Sequence, residues 1–334
     1  MIASASLAAW LANRDSQLRS RAAVDAFATR WSLDPLMSRT ERALATLPDR
    51  SAGAILEIAR DFLDQTGEMD RLMREAIAAS RQDAFFKPPF LPIINEIYNS
   101  LLLFNNPHLL IALGVTGVDV LATRKSGPRG ATSVVFTGIT TLYRFVKAGE
   151  ATFSFWEAPP ITDDFVASQA GNCRMVDCRR IRDGEEIVVD GRYQSFVIEH
   201  AATDMVYFQA TVLAEAAPLV VEYDTKSLAF AGASSTDEIS SRVQMMVSLL
   251  RAMEREDALP LIEEALASKH FYTRWHIMRE MLAMDAEAAL PSLRRMAAND
   301  PHPEVRAASQ QTLELFFEDE AEAGPVQGDV QCRA

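Results

Sequence analysis

The chain has 334 residues, 24% of them charged, and its 33 basic and 46 acidic side chains give a net charge of −13 at pH 7. This length allows two or three domains, and the acidic balance, without any run of Lys and Arg, opposes binding to nucleic acid or to an anionic membrane. Three cysteines (Cys173, Cys178 and Cys332) are too few for a disulfide framework, so we expect a cytoplasmic protein. The N-terminal apolar stretch has no basic residue before it, which argues against a signal peptide.

Residues 1–84 have the spacing of a helical segment. Apolar residues recur at near-helical intervals from Leu7 to Trp31, and Asp34-Pro35 starts another helix because proline suits the first helical turn. The clearest amphipathic helix follows Ser51, and its apolar face holds Ile55, Ile58, Ala59, Phe62 and Leu63. We expect this helix to end at Gly67 and one more helix to cover residues 69–80.

The pattern changes after residue 84. Residues 85–98 contain three prolines within five positions and predict a rigid connector, because proline fixes its backbone angle and lacks a donor N–H. Short apolar or alternating segments then predict strands at 109–115, 118–124, 133–136, 142–146, 152–156, 174–180, 186–190, 193–199, 205–212 and 219–223. No helical pattern separates these segments, so we expect an antiparallel sandwich or barrel.

The strand spacing and the hairpin IVVDGRYQSFVIEH (residues 187–200) resemble the cupin-like jelly roll. In cupin enzymes two histidines one residue apart in an early strand, a nearby acidic residue and a later histidine usually hold a metal. Here residues 109–157 contain no histidine, and only His200, with its neighbour Glu199, is placed to match the late histidine. The resemblance therefore implies the fold, and we expect neither a metal nor another cofactor.

A candidate ligand-binding group comprises Arg192, Gln194, Glu199 and His200. Arg192 and Gln194 share one strand face, and His200 continues it. At a barrel mouth this face would bind an anionic or carbonyl-bearing ligand, whereas on the outside of the sheet it is a solvated surface. No nucleophile elbow, P-loop or G-x-G-x-x-G motif is present.

The cysteines Cys173 and Cys178 are interpreted as structural. Residues five apart in a strand face opposite sides, so these two thiols cannot share a metal. We expect both to be buried among apolar neighbours.

Helical repeats follow residue 236. The segments ALPLI at 258–262 and ALPSL at 289–293 recur 31 residues apart, a period typical of helical solenoids. The helix opening DPHPEVR at 300–306 resembles HEAT-type repeats, in which the aspartate and the arginine commonly brace neighbouring units. His276 and Glu280 stand four apart on one helix and are interpreted as a surface or inter-repeat contact rather than as ligands.

We therefore predict an α+β multidomain chain with four parts: an N-terminal helical segment (1–84), a cupin-like, jelly-roll-like antiparallel β-domain (85–232), a HEAT-type α-solenoid (233–317) and a disordered acidic tail (318–334). The predicted function is a non-catalytic binding or scaffold protein that binds a protein partner through the helical repeats. The alternative is a divergent cupin-type enzyme or sensor for a small polar molecule. A closed, polar-lined pocket in the β-domain favours the alternative, and a filled barrel favours the scaffold.

Overall fold

The computed structural model describes residues 5–94, 98–119, 133–162 and 164–316. The chain forms two compact units. The first contains Met1–Ile161, Gly171–Ala217 and Val221–Gly232, and the second contains Thr162–Ala170, Pro218–Val220 and Ala233–Ala334. The predicted acidic tail and most of the predicted strand 118–124 lie outside the described residues.

The first unit opens with helices, as predicted. Five helices are α1 (Ala5–Leu11), α2 (Arg14–Ser32), α3 (Pro35–Thr46), α4 (Ala52–Asp64) and α5 (Thr66–Gln82). Asp34 caps α3 by accepting the Leu36 N–H at 3.0 Å, and Pro35 occupies the first helical position, where no N–H is needed. The predicted helix end at Gly67 is wrong, because α4 ends at Asp64 and Gly67 lies in the first turn of α5.

The strands follow as β1 (Leu91–Ile94), β2 (Tyr98–Asn105), β3 (Leu109–Thr116), β4 (Ser133–Phe136), β5 (Thr140–Lys147), β6 (Thr152–Glu157), β7 (Arg174–Arg180), β8 (Glu186–Asp190), β9 (Gln194–His200), β10 (Met205–Val212), β11 (Leu219–Asp224) and β12 (Phe230–Ser235). A six-stranded large sheet has the order β1-β2-β3-β10-β5-β8, and a small sheet has the order β7-β6-β9. A further three-stranded sheet has the order β12-β11-β4. The pairs with assigned register are antiparallel, which confirms the predicted central antiparallel sheets.

Part of the predicted connector is a strand. Leu91–Ile94 forms β1, which among the described residues pairs with β2 alone and is the outer strand of the large sheet. Pro92 is compatible with this position because an edge strand does not need every N–H for the ladder. The prediction of a connector is therefore wrong for Leu91–Ile94, which forms an edge strand.

Both faces of the large sheet are buried. One face packs against α2–α5, in a core that joins Ile55 and Phe62 of the helices to Ile111 and Val212 of the strands. The Trp31 indole N–H also donates to the Leu103 carbonyl at 3.1 Å across this interface. The other face packs against the small sheet in a second core, whose members include Phe145, Phe153, Phe155, Phe196 and Tyr207.

The predicted burial of both thiols is half right. Cys173 is buried, and burial raises the pKa of its thiol, whereas Cys178 is exposed. Cys178 lies on β7, the outer strand of the small sheet, along which all seven residues are exposed. The period-2 pattern of a strand shows which residues share a face, but it does not show whether a core covers that face. Within the small sheet, the side chains that join the second core come from β6 and β9, and none come from β7.

The second unit carries helices α6 (Glu238–Ala252), α7 (Leu259–Glu264), α8 (Phe271–Met284), α9 (Ala286–Asn299) and α10 (Pro303–Phe316). Asp237 and Asp285 cap α6 and α9 by accepting backbone N–H groups at 2.8 and 2.9 Å. Apolar side chains between successive helices form two cores, one around Ile277 and one around Met278, which lie side by side on α8.

Candidate functional site

The four residues predicted as a ligand-binding group do not converge. Arg192 lies in the turn before β9 and forms a bidentate ion pair with Asp190, with hydrogen bonds of 2.9 and 2.7 Å. The Gln194 side chain accepts the Asp190 N–H at 3.3 Å at the same end of the strand. Glu199 and His200 lie at the other end, about 16 Å away at the usual rise per strand residue.

Glu199 and His200 are exposed. Glu199 accepts a hydrogen bond from Ser154 Oγ at 2.5 Å, and Ser154 in turn accepts the Trp156 indole N–H at 2.9 Å. These contacts tie β9 to β6 within the small sheet. Arg192 and Gln194 therefore belong to a structured turn, and Glu199 to a cross-strand network.

A different polar group does converge, on the large-sheet face that looks toward the small sheet. On β10, Phe208 packs in the helix-facing core, so its neighbours Tyr207 and Gln209 point to the opposite face. Tyr98 pairs directly with Thr116, and the Thr116 and Tyr207 hydroxyls are 3.0 Å apart. The tyrosine row, defined here as Tyr98, Tyr143 and Tyr207, thus lines one interior face.

Aromatic stacking holds the tyrosine row in place. The Tyr143 ring meets Phe196 of the small sheet at 5.2 Å and Tyr207 at 5.8 Å between ring centroids, both nearly edge to face. Gly114 lies opposite Tyr207, and a Cβ at this position would stand 3.1 Å from a Tyr207 ring carbon. The glycine therefore provides the space that the tyrosine ring occupies.

Burial keeps the Tyr143 and Tyr207 phenols protonated. Burial is the largest cause that raises the pKa of Tyr143, and the nearby Tyr207 and Tyr98 phenols raise it further. Burial also raises the pKa of Tyr207, while its hydrogen bond with Thr116 opposes this. At neutral pH these groups act as hydrogen-bond donors and acceptors rather than as general bases. Tyr143 stays partly accessible.

The described residues do not form a metal centre. No group of three or more His, Cys, Asp or Glu side chains in residues 5–94, 98–119, 133–162 and 164–316 is arranged to hold an ion. His200 is the last residue of β9 in the small sheet, whereas the tyrosine row lies on the large sheet. Its pairing partner on β6 is Thr152.

A buried ion pair braces the helical unit. Arg274 of α8 makes two hydrogen bonds of 2.7 Å to Asp300, which precedes α10, and two of 3.0 Å to the carbonyls of Ser268 and Lys269. Asp300 also accepts the His302 N–H at 2.8 Å. The aspartate of the DPHPEVR motif thus links α8 to the turn between α9 and α10, in line with the bracing role that the HEAT resemblance implies.

Polar contacts also join α6 to α8. Ser248 of α6 lies 3.0 Å from His276 Nε2 and donates to Glu280 at 2.9 Å, and Arg251 pairs with the same carboxylate. Of the two interpretations, a surface pair or a contact between helices, the structure shows the contact between helices. Burial disfavours the charged form of Glu280, but Arg251 and Ser248 outweigh it and lower its pKa.

His302 lies in the turn before α10. It is buried there, and its ring stacks on Phe271 with 3.7 Å between the ring centroids. Burial lowers the pKa of His302 and outweighs the opposing effect of Glu304, so the ring is neutral at pH 7. We assign it a packing role between α8 and α10.

Among the described helices of the helical unit, α6 carries the most exposed large apolar side chains. The α6 patch is defined by five side chains that are 55–72% exposed: Ile239, Met245, Met246, Leu249 and Met253. Only Ser240 and Val247 of α6 are buried. Methionine side chains are flexible and polarizable, and they are common on surfaces that bind apolar segments of other proteins.

Sequence reasoning missed both the tyrosine row and the α6 patch. For the row, the alternation of Tyr207 and Gln209 with Phe208 and Ala210 was visible, but not which strands lie side by side. For the patch, the methionines at positions 245, 246 and 253, in and directly after a predicted helix, were a usable signal. The first helix of a repeat array has no preceding repeat to cover its apolar face, so apolar residues there indicate an exposed surface.

No helix in the described part of the chain is both long and apolar enough to cross a membrane.

Residues 234–314 match the family model described as HEAT repeats, which confirms the resemblance read from the DPHPEVR motif. The comparison with curated protein sequences gives no match.

Solved structures give weak likenesses. Ectoine synthase from P. lautus aligns at 10% identity over 36% of this chain and 67% of that protein, with a TM-score of 0.23. A sugar phosphate isomerase from a cupin superfamily, from Silicibacter pomeroyi, aligns at 8% over 42% of this chain and 78% of its own, with a TM-score of 0.22. The capsular polysaccharide assembling protein CapF from Staphylococcus aureus aligns at 10% identity over 59% of this chain and 55% of its own, with a TM-score of 0.25. Values this low carry no conclusion about this chain.

Proposed function

We propose that the protein is a non-catalytic binding protein whose helical repeats dock a partner protein. The α6 patch is the observation that carries this proposal, because four large apolar side chains on α6 and Met253 directly after it leave about half or more of their surface in water. Exposed apolar patches of this kind mark interaction sites on soluble proteins. The match of residues 234–314 to HEAT repeats supports it, since such arrays present extended binding surfaces.

The expected partner presents an apolar segment, such as the face of an amphipathic helix. Around the α6 patch, Arg242 is paired with Glu238, and Arg251 is paired with Glu280. With its flanking charges already paired, the patch favours apolar contact over charge recognition. The finer architecture, a jelly-roll-like β-domain followed by a short solenoid, is part of the same proposal.

The test compares two variants of equal added charge. Met246→Lys with Leu249→Lys places two charges in the patch, whereas Gln310→Lys with Gln311→Lys places them at exposed polar positions of α10. Affinity capture from the native extract with quantitative mass spectrometry should show a set of proteins retained by wild type and the α10 variant and lost with the patch variant. Equal capture by all three, with unchanged circular dichroism, contradicts the proposal.

A second candidate function is binding of a small polar molecule within the β-domain, and the tyrosine row favours it. Three phenols, with Gln209 and Thr116 beside them, offer hydroxyl and amide groups on an interior face. Native mass spectrometry of untagged protein should then show a bound small molecule that is lost in Tyr143→Phe. A weaker proposal is that the same class of ligand binds at either end of β9, where the predicted residues lie: Arg192, Gln194, Glu199 and His200.

A further inference from the structure

His302 is a buried imidazole at the junction of α8 and α10, and the proposed function does not use it. The residue is 4% exposed, and its ring lies flat on Phe271, with 3.7 Å between the centroids and 5° between the planes. Asp300 accepts the His302 backbone N–H at 2.8 Å, which fixes the turn. Histidine is the side chain whose usual pKa lies between pH 5 and 8, so its burial makes this junction sensitive to protons.

Parts of the second unit that are distant in sequence surround the ring. They are α8, the turn before α10, α10 itself, and residues 164–170, which belong to the same unit. A cavity of about 190 Å³ adjoins the ring. The charged and titratable side chains at the ring and the cavity come from all of these parts: Asp164, Lys269, His270, Arg274, Asp300 and Glu304.

The two carboxylates that act on the ring already hold other parts of the unit. Asp300 accepts two hydrogen bonds of 2.7 Å from the Arg274 guanidinium. Glu304 accepts the Ala167 N–H at 2.8 Å and so holds residues 164–170 at the start of α10. A positively charged ring at position 302 therefore competes with Arg274 and with Ala167 for these carboxylates.

The direction of the proton effect follows from burial. Burial is the largest influence on His302 and lowers its pKa, while Glu304, the Phe165 backbone and Asp300 oppose this only in part. In an open turn the ring has its usual pKa of about 6.5. The closed junction is therefore fully stable above about pH 6.5, and it loses stability as the pH falls from there towards the lower folded pKa.

We infer that His302 is an acid-sensitive latch of the helical unit. When the pH falls below about 6.5, protonation releases the ring from Phe271, opens the turn before α10 and frees residues 164–170 from Glu304. The proton comes from solvent and stays on the imidazole. Carboxyl groups ordinarily titrate near pH 4, so in the range from about pH 6.5 to 5 the histidines are the side chains that change charge.

Hydrogen exchange of the full chain, measured by mass spectrometry at pH 7.5 and 5.5, tests the latch. Each rate is divided by the intrinsic rate at that pH. If the closed ring stays neutral and the open ring has its usual pKa, opening is about tenfold more frequent at pH 5.5. Amides of α10 and of residues 164–170 should lose protection by about this factor. Amides of α6, which contacts α8 through Ser248 and Glu280, should not.

Two variants identify the imidazole responsible. His302→Phe keeps an aromatic ring that stacks on Phe271 but gains no charge, so its protection should be the same at both pH values. The matched control is His270→Gln, which removes the other imidazole at the cavity and should keep the wild-type response. The inference is overturned if wild type keeps its α10 protection at pH 5.5, if His302→Phe responds as wild type does, or if His270→Gln loses the response.

A measurement on wild type stands beside these variants in case His302→Phe does not fold at pH 7.5. Carbon-13 NMR of the His302 ring reports its protonation directly. The ring should be neutral at pH 7.5, and it should become charged in step with the loss of α10 protection. A ring that becomes charged while α10 stays protected overturns the inference.

Discussion

The buried pair of Arg274 and Asp300 gives the sharpest stability prediction. Their side chains are 9% and 3% exposed, so Asp300→Ala leaves a guanidinium out of water with only the carbonyls of Ser268 and Lys269 to accept its hydrogens. Breaking a buried pair in this way costs about 3–5 kcal/mol. The same substitution removes the acceptor for the His302 N–H at the start of α10.

The matched control is Asp257→Ala. Asp257 pairs with Arg255 at 2.7 Å, but these side chains are 65% and 52% exposed, and solvent-exposed pairs contribute little to stability. Hydrogen exchange measured by mass spectrometry resolves the helical unit separately from the first unit. Amides of α8 should exchange about a hundredfold or more faster in Asp300→Ala, since every 1.4 kcal/mol is tenfold, and by less than about fivefold in Asp257→Ala.

The reasoning is refuted if Asp300→Ala changes α8 exchange no more than the control does. In that case the remaining carbonyl contacts, or water admitted to the site, satisfy Arg274. A double change, Arg274→Met with Asp300→Ala, removes the buried charge itself and should recover part of the lost protection.

Three further predictions concern the first unit. Gly114→Val should destabilise it by about 1–3 kcal/mol in urea unfolding, because the added atoms meet the Tyr207 ring, and an unchanged midpoint contradicts that packing. Gly53→Ala, with open space at its Cβ on α4, should stabilise by about 0.5–1 kcal/mol, and a loss of stability would show hidden crowding. Burial opposes the ionisation of Glu186, but Arg144 and Arg60 outweigh burial and lower the pKa of this carboxyl. The stability that the carboxylate contributes is therefore present above its unfolded pKa of about 4.3. That stability is lost as the pH falls through the lower folded pKa. Glu186→Gln should therefore be less stable than wild type at pH 7 and equal to it at about pH 2, and a pH-independent difference speaks against the ion pairs.

Local sequence patterns predicted the class of each region well. The apolar stripe of α4, the proline after Asp34 and the DPHPEVR opening act within one or two helical turns, so they are readable without knowing the fold. The strands from β5 to β10 were also placed close to their bounds. The predicted boundaries at residues 84, 232 and 317 stay predictions.

The candidate sites were harder to predict because they depend on which elements become neighbours. The proposed group on β9 was built from residues close in sequence, and the strand separates them into two ends. The tyrosine row draws on β2, β5 and β10, which stretch over more than a hundred residues of chain and meet only through strand pairing.

What the sequence by itself determined is the type and order of the elements: N-terminal helices, antiparallel strands and HEAT-type helices, each encoded by a short-range period of apolar side chains. Only the tertiary structure decided that α2–α5 share a core with the large sheet, that Tyr98, Tyr143 and Tyr207 face one interior, and that β7 is an exposed edge. The physical reason is that periodicity fixes which side chains share a face, whereas pairing between distant strands fixes what that face meets.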